Sequence, residues 1–141
     1  MRIAARFSVA VHVLTLLGEE FAPDPTSEWI ASSVGVNPVV VRNVSGMLRR
    51  AGLVASSQGK AGTALAKPLA DVTLLDVYRA VDADGDLFAI HGNPNPQCPV
   101  GANIQEALDG VFLDAQRAME DRLAATTLET VAQSVRAAAA R

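Results

Sequence analysis

Residues Val36 to Val54 constrain the fold of this chain more than any other stretch, because they specify the start, both faces and the end of one helix. Asn37 is a favourable N-cap, and Pro38 suits the first helical position, where its missing N–H costs nothing. Gly52 is suited to end the helix as the residue after its C-cap. An apolar stripe with helical spacing is formed by Val41, Val44 and Leu48. The polar and basic residues off that stripe are Arg42, Asn43, Arg49 and Arg50.

Size and composition predict a single folded domain, or a compact domain with an appended element. The chain has 141 residues, of which 50% are hydrophobic, so it can fill a core. No apolar run reaches the roughly 18 residues that a membrane-spanning helix needs. One cysteine excludes an internal disulfide framework and fits a reducing cytoplasm. We therefore expect a cytoplasmic protein that does not contact a membrane.

Charge is distributed unevenly along the chain, although its net value is only −3. Residues 1–70 contain seven Lys or Arg against four Asp or Glu, whereas residues 71–141 contain five against eleven. A basic half and an acidic half indicate that one end of the molecule meets a polyanion and the other does not.

The basic helix within residues 36–54 is preceded by a shorter helix, and these two helices form a pair. A first helix is predicted over residues 3–17, and Thr26 or Ser27 is suited to cap a short second helix that ends at Gly35. Only Gly35, Val36 and Asn37 separate it from the basic helix. Two short helices with a three-residue connection, the second of them basic, predict a helix-turn-helix.

A hairpin is predicted directly after the basic helix, with strands over residues 53–57 and 63–66. The loop between the strands contains Gly59 and Gly62, which permit close approach to another backbone, and Lys60, which adds a positive charge. A two-stranded hairpin in this position is the wing of a winged helix, although a solvated surface hairpin would have the same pattern. Its proximity to Arg49 and Arg50 favours DNA binding, because phosphate contacts cluster with base contacts.

The C-terminal half is predicted to contain three further helices. Thr73 caps a helix over residues 74–81, and a proline-rich loop follows over residues 88–101. A helix of about 20 residues, ~30 Å long, comes next, and Thr127 caps a final helix. The long helix carries an apolar stripe that is expected to pair with its own copy across a two-fold axis. The residues of this predicted dimer interface are Ile104, Leu108, Val111, Phe112, Ala115 and Met119, and Leu123 continues the stripe.

This order of elements resembles the Rrf2 family of bacterial winged-helix transcriptional regulators. The resemblance is carried by RFSVAVHVLTLL (6–17), GVNPVVVRNVSGMLRRAGLV (35–54), the two wing glycines, TLLDVYRAV (73–81) and FAIHGNPNPQCPVGANI (88–104). It implies a mainly α fold, with a winged helix-turn-helix over residues 1–82, a proline-rich loop over 83–99, and a dimerisation helix plus a C-terminal helix over 100–141. It also implies a homodimer on double-stranded DNA, with a palindromic operator expected.

The resemblance implies specific DNA contacts. Those expected in the major groove come from Val39, Val40, Arg42 and Asn43, and those expected at the wing tip come from Gln58 and Lys60. The family often has arginine where this chain has Gln58. Arginine and asparagine side chains can read guanine and adenine bidentately. Arg49 and Arg50, near the C-terminal end of the helix, are better assigned to phosphates.

The best-known members of the family bind an iron–sulfur cluster through three cysteines in the loop before the dimerisation helix. This chain has only Cys98 there, and a thiolate-bound cluster needs about four ligands, so we expect no cofactor and no metal. Cys98 is instead either a redox-sensing thiol, activated by the following helix and assisted by His91, or a buried small residue that anchors the loop.

No nucleophile–base pair, glycine-rich phosphate loop or metal-spaced cluster is present, so the chain is not expected to be an enzyme. The sequence therefore predicts a DNA-binding transcriptional regulator, expected to act as a repressor. The alternative is a winged-helix protein-interaction module that has lost DNA binding, which net acidity and Gln58 would favour.

Overall fold

The computed structural model of the protein describes residues 3–18, 26–56, 63–82 and 87–141. Its elements, in chain order, are α1 (Ile3–Leu17), α2 (Ser27–Val34), α3 (Pro38–Arg50), β1 (Val54–Ser56), β2 (Thr63–Leu65), a 3₁₀ turn (Leu69–Asp71), α4 (Leu74–Val81), α5 (Pro99–Ala124) and α6 (Leu128–Ala139). The prediction of a mainly α winged helix-turn-helix with a two-stranded wing and a long C-terminal helix is confirmed.

Helix α1 is the centre of the core. Its residues Ala10, Val13 and Leu14 have no solvent exposure, and α3, α4 and α6 all pack against it. The apolar stripe of α3 faces this helix, since Val41, Val44 and Leu48 are each at most 1% exposed. Burial of each such side chain contributes roughly 1.5–3 kcal/mol, so this contact fixes the orientation of α3 about its own axis.

The helix-turn-helix forms as the sequence predicted, with a defined cap at each end of its turn. Thr26 caps α2 by accepting a hydrogen bond from the Trp29 N–H (3.1 Å). Gly35 ends α2 in the left-handed conformation, at φ 82°. Two residues later, the Asn37 side chain accepts a 2.7 Å hydrogen bond from the Val39 N–H, and Pro38 begins α3. Because both helix ends are capped, the short connection has a definite geometry.

The end of α3 leads directly into the wing through a Schellman motif. The Leu53 N–H donates to the Leu48 carbonyl and the Gly52 N–H donates to the Arg49 carbonyl, both at 3.0 Å. Gly52 has a φ of 77°, which an L side chain rarely adopts. Strands β1 and β2 then pair antiparallel, with Val54 opposite Leu65. The wing tip, which contains Gln58, Lys60 and both wing glycines, lies outside the described residues.

Helix α6 belongs to the core rather than to the dimerisation segment with which the sequence grouped it. Leu128 and Ala132 have no exposure and pack among the residues of the winged helix. A short backbone bridge holds it there, because Leu128 N–H donates to the Val72 carbonyl (2.8 Å) and Leu74 N–H donates to the Thr126 carbonyl (2.9 Å). The predicted segment 100–141 therefore contains two helices in different environments.

Helix α5 lies on the outside of the core and has no buried residue. Its 26 residues span about 39 Å, longer than the sequence predicted. Near its C-terminal half, Glu120 accepts a 3.5 Å hydrogen bond from Arg79 of α4, and Gln116 accepts one from the Leu87 N–H (3.1 Å). Phe112 stacks on Phe88, with ring centroids 4.9 Å apart. These contacts cover one side of α5 and leave the other in solvent.

None of the helices in the described ranges is long and apolar enough to cross a membrane.

The positive φ of Gly52 gives a direct stability prediction. Gly52→Ala is expected to lower the free energy of unfolding by ~1–2 kcal/mol, the cost of a left-handed conformation for an L residue. The control is Gly110→Ala, inside α5, where an added Cβ meets nothing within 4 Å and should stabilise the helix by ~0.5–1 kcal/mol. Urea unfolding, followed by circular dichroism, measures the free energy of unfolding of both variants. Equal effects of the two substitutions would contradict the left-handed conformation of Gly52.

Candidate nucleic-acid interface

The solvent side of α3 presents a row of residues directly opposite its buried stripe. Spacing of three and four residues aligns Val39, Asn43, Gly46 and Arg50 along the middle of this side, with Arg42 beside them. Val39 is 51% exposed, and Arg42, Asn43 and Arg50 are exposed as well. Gly46 contributes no side chain at the centre of the row, and the flexible Arg50 side chain lies beside it, with Nη1 3.6 Å from the position that a Gly46 Cβ would take. An edge of DNA bases could approach the helix closely there.

The two valines predicted to face the major groove differ in their positions. Val39 stands out into solvent, whereas Val40 is only half-exposed and packs against the core. The reason is helix geometry: Val40 lies four residues before Val44, on the flank of the buried stripe. The structure therefore places Val39 with Arg42 and Asn43 on the solvent side of the N-terminal half of α3, and Val40 at its edge.

Arg42 forms an ion pair with Glu28 of α2, with 3.7 Å between the guanidinium nitrogen and the carboxylate oxygen. The two side chains are 54% and 71% exposed, so the pair contributes little to stability, ~0–1 kcal/mol before screening by salt. The ion pair mainly affects the position of the Arg42 side chain. Glu28 holds the Arg42 side chain beside α2 and adds a negative charge next to a surface that is otherwise basic.

Arg49 and Arg50 occupy the last turn of α3, where positive charge is favourable beside the C-terminal end of the helix dipole. Both are exposed and lie C-terminal to Val39, Arg42 and Asn43 on the helix. Lys67, just after β2, is also exposed and lines a depression that reaches Leu53 and Arg79. Sequence reasoning assigned no role to Lys67, because its proximity to the end of α3 depends on the hairpin returning toward the core.

Only part of the predicted dimer stripe on α5 is free. Phe112 is engaged by Phe88 of the same chain, and Leu108, Ala115 and Met119 are partly covered. Val111 is 62% exposed, and Val100, which was not part of the prediction, is 66% exposed on the same side of the helix. The free apolar face is therefore centred on Val100 and Val111, with the half-buried Ile104 between them, and it is rotated from the predicted stripe because Leu87 and Phe88 contact the other edge.

Cys98 is exposed, which contradicts the interpretation that it is a buried small residue anchoring the loop. It is the N-cap residue of α5, which begins one residue later. Its side chain makes no cap hydrogen bond, but the N–H groups of Gly101 and then Val100 face the sulfur and lower the pKa of the thiol from its ordinary value. In the described part of the chain, His91 makes no hydrogen bond to it.

Comparison with known proteins identifies the class of this chain. Residues 3–134 match the model of the Rrf2 family, described as an iron-dependent transcriptional regulator. The chain belongs to the Rrf2 family. It is 48% identical over 129 residues to YwnA of Bacillus subtilis (strain 168), a proposed HTH-type transcriptional regulator, covering 92% of this chain and 96% of YwnA. The family and this relative are described as transcriptional regulators.

Solved structures of other proteins have the same architecture. A crystal structure of a proposed DNA-binding protein, 44% identical, superimposes with a TM-score of 0.73 and covers 89% of this chain and 97% of its own. A proposed transcriptional regulator from Lactobacillus plantarum, 28% identical, gives a TM-score of 0.73, with 93% and 89% of the chains covered. These similarities support the interpretation of the Rrf2 chain as a DNA-binding regulator over that of a protein-interaction module.

The iron that the family description implies does not fit the donor set of this Rrf2 chain. Cys98 is its single cysteine, and three or more His, Cys, Asp or Glu side chains do not gather anywhere in the described ranges. A thiolate cluster needs about four ligands, and the exposed Cys98 supplies one per protomer.

Proposed function

We propose that this protein is a cytoplasmic repressor that binds a palindromic operator as a homodimer. The observation that carries the proposal is the solvent side of α3, where Val39, Arg42 and Asn43 stand directly opposite the buried stripe. Arg42 and Asn43 are suited to bidentate contacts with guanine and adenine, and Val39 to a thymine methyl group. Arg49 and Arg50 supply phosphate contacts, and the wing carrying Gln58 and Lys60 supplies contacts beside them.

The homodimer part of the proposal is supported by α5. Its free apolar face around Val100, Ile104 and Val111 lies outside the core of the single chain, where exposed apolar surface is unfavourable. A two-fold axis would place this face against its own copy. The same arrangement sets the two α3 helices at a fixed separation. A palindromic site requires this, because its two half-sites lie about one helical turn apart.

We further propose that the protein functions without an iron–sulfur cluster. The support is the donor set: one exposed cysteine and no cluster of possible ligands in the parts of the chain described. The signal would then act on the protein's own groups, of which Cys98 is one.

Arg42 and Glu28 provide a test of base reading. Against a duplex selected from a random pool, Arg42→Ala should weaken binding ~5–150-fold, the worth of a good bidentate contact, and relax the preference at one base position. Glu28→Gln should strengthen binding a few-fold, roughly the worth of an exposed ion pair, because it frees Arg42 and removes a negative charge. Fluorescence anisotropy measures both.

The control for this pair is Arg136→Ala, since Arg136 lies on α6 and pairs with Glu129. We expect its affinity to remain within about twofold of wild type. An Arg42→Ala protein that loses affinity equally for every duplex, with a salt slope reduced by about one, would show a phosphate contact instead of a base contact. A wild-type chain without salt-dependent duplex binding would contradict DNA binding altogether.

The two sides of α5 provide a test of the dimer. Val111→Glu should convert the dimer to monomer, because it places a charge in the free apolar face, and the fold should persist because Val111 is 62% exposed in the single chain. Leu113→Glu is the matched control, since Leu113 is 50% exposed on roughly the opposite side of α5. Sedimentation velocity measures the state of each. Dissociation by Leu113→Glu alone would place the interface on the other side.

Cys98 is proposed as a redox-sensitive thiol that modulates DNA binding. Its lowered pKa raises the thiolate fraction at neutral pH, so its alkylation by iodoacetamide should reach half its maximal rate at a lower pH than that of a free thiol. Peroxide would convert the thiolate to sulfenic acid, and DNA affinity should change in the wild type but not in Cys98→Ser. Equal DNA affinity before and after oxidation would remove the sensor role.

A further inference from the structure

A cavity of about 370 Å³ lies between α1, α3 and α4, on the flank of the DNA-binding face. Each of the three helices contributes one arginine to its lining: Arg6, Arg50 and Arg79. The remaining lining is largely apolar and consists of Met47, Ala51, Ala80 and Val81. Three arginines that are far apart in sequence are therefore brought to one cavity whose remaining lining is largely apolar.

Among the residues that the structure describes, the lining of this cavity includes three arginines and no carboxylate. Arg79 is paired with Glu120 of α5, at the long distance of 3.5 Å and with its side chain 64% exposed. The Nε atom of Arg6 is buried and has no hydrogen-bond partner among the described residues. A buried donor without an acceptor is costly, and guanidinium groups match the oxygens of carboxylate and phosphate groups. The arrangement therefore fits an oxyanion.

Two nearby carboxylates are engaged elsewhere and do not line the cavity. Asp82 follows α4 and is 6% exposed; burial and then a hydrogen bond to Asp82 raise the pKa of Tyr78 to about 12. Asp76 accepts a 3.0 Å hydrogen bond from the Thr73 N–H in the capping box of α4. Glu120 of α5, which does not line the cavity either, pairs with the lining arginine Arg79.

The size and depth of the cavity select its occupant. A volume of about 370 Å³ lies in the range of small-molecule sites and exceeds the volume of a single phosphate group. The apolar residues of the lining can contact the hydrocarbon part of a metabolite. Because Arg6, Arg50 and Arg79 line the cavity from three different helices, a group that contacts all three must enter it, which a stiff duplex on the outer face of α3 does not do. A free small molecule fits better than a backbone phosphate.

We propose that this cavity is an effector site for a small organic anion, held through its carboxylate or phosphate oxygens by Arg6, Arg50 and Arg79. The regulatory part rests on the proposed function, because Arg50 is also expected to contact an operator phosphate. An anion that engages Arg50 competes with that contact, and one that engages Arg79 replaces Glu120. The effector therefore acts on the recognition helix and on α5 together, and weakens DNA binding.

The first experiment measures anion binding without DNA, by isothermal titration of the full chain with pyrophosphate and with citrate at constant ionic strength in chloride. We expect saturable binding of one anion per protomer. Arg79→Gln and Arg6→Lys should each weaken anion binding at least about tenfold, which corresponds to the loss of one charged hydrogen bond. Arg6→Lys keeps the positive charge but removes the paired N–H donors of the guanidinium group. Arg117→Gln, an equal charge change on the exposed side of α5, should leave anion binding unchanged.

Glu120 tests the geometry further. Glu120→Gln should tighten anion binding a few-fold, because it releases Arg79, whereas Glu106→Gln at the other end of α5 should have no effect. Circular dichroism of each variant establishes that it is folded. If neither pyrophosphate nor citrate binds more tightly than chloride, or if binding survives both arginine substitutions, the effector site is wrong.

The second experiment separates this site from the DNA interface. Pyrophosphate or citrate should weaken operator binding by wild type and not by Arg79→Gln. If Arg6→Lys and Arg79→Gln reduce DNA affinity while anion binding is absent, the cavity contacts the DNA backbone, and the proposal is overturned. If anions bind at this site but no duplex does, the effector site stands and the proposed DNA binding fails.

Discussion

Packing of α3 against α1 is the interaction on which the rest of this structure depends. Burial of Val41, Val44 and Leu48 leaves α3 only one orientation about its axis, and the residues presented to solvent follow from that orientation. The caps at Asn37 and Gly52 then fix where the helix begins and ends. The side of α3 that is proposed to read DNA is thus positioned by apolar contacts on its opposite side. Its polar residues are free to vary without loss of the fold.

The acidic half of the chain has a different physical role. Helix α5 contacts α4 through Arg79–Glu120 and the segment before α5 through Phe88–Phe112, and it exposes apolar residues on its other side. Helix α6 returns the chain to the core, where Leu128 is completely buried. The protein therefore presents a basic surface and an apolar surface from separate elements that share one core. Helix α4 contacts both α5 and α3, so it connects the two surfaces.

The sequence was sufficient to predict the elements whose ends are marked by caps and whose faces are marked by periodicity. The boundaries of α1 and α4, the turn before α3 and the buried stripe of α3 were all predicted on these grounds. The sequence could not separate Val39 from Val40, because adjacent residues of one type differ only in their angle about the helix. It also missed the rotation of the free face of α5, since the covering role of Phe88 is a tertiary contact.

The grouping of Arg6, Arg50 and Arg79 was equally inaccessible to sequence analysis, because no local pattern joins α1, α3 and α4. The sequence predicted correctly that Cys98 lies just before a helix, but it left open whether the thiol is buried. A proline after it predicts a helix start, but whether the preceding loop covers the thiol depends on packing that no periodicity encodes.

The length of α5 has a mechanical consequence. In the proposed dimer, α5 acts as a rigid arm of about 39 Å that is fixed to its own core near one end, so small angular changes are amplified at the other. A rotation of about 5° at the α4 contact moves the far end by about 3 Å, close to the ~3.4 Å rise of one base pair. An operator has a fixed half-site spacing. In the proposed dimer, a change of a few degrees at the Arg79–Glu120 contact would therefore be enough to move the two α3 helices out of register with that spacing.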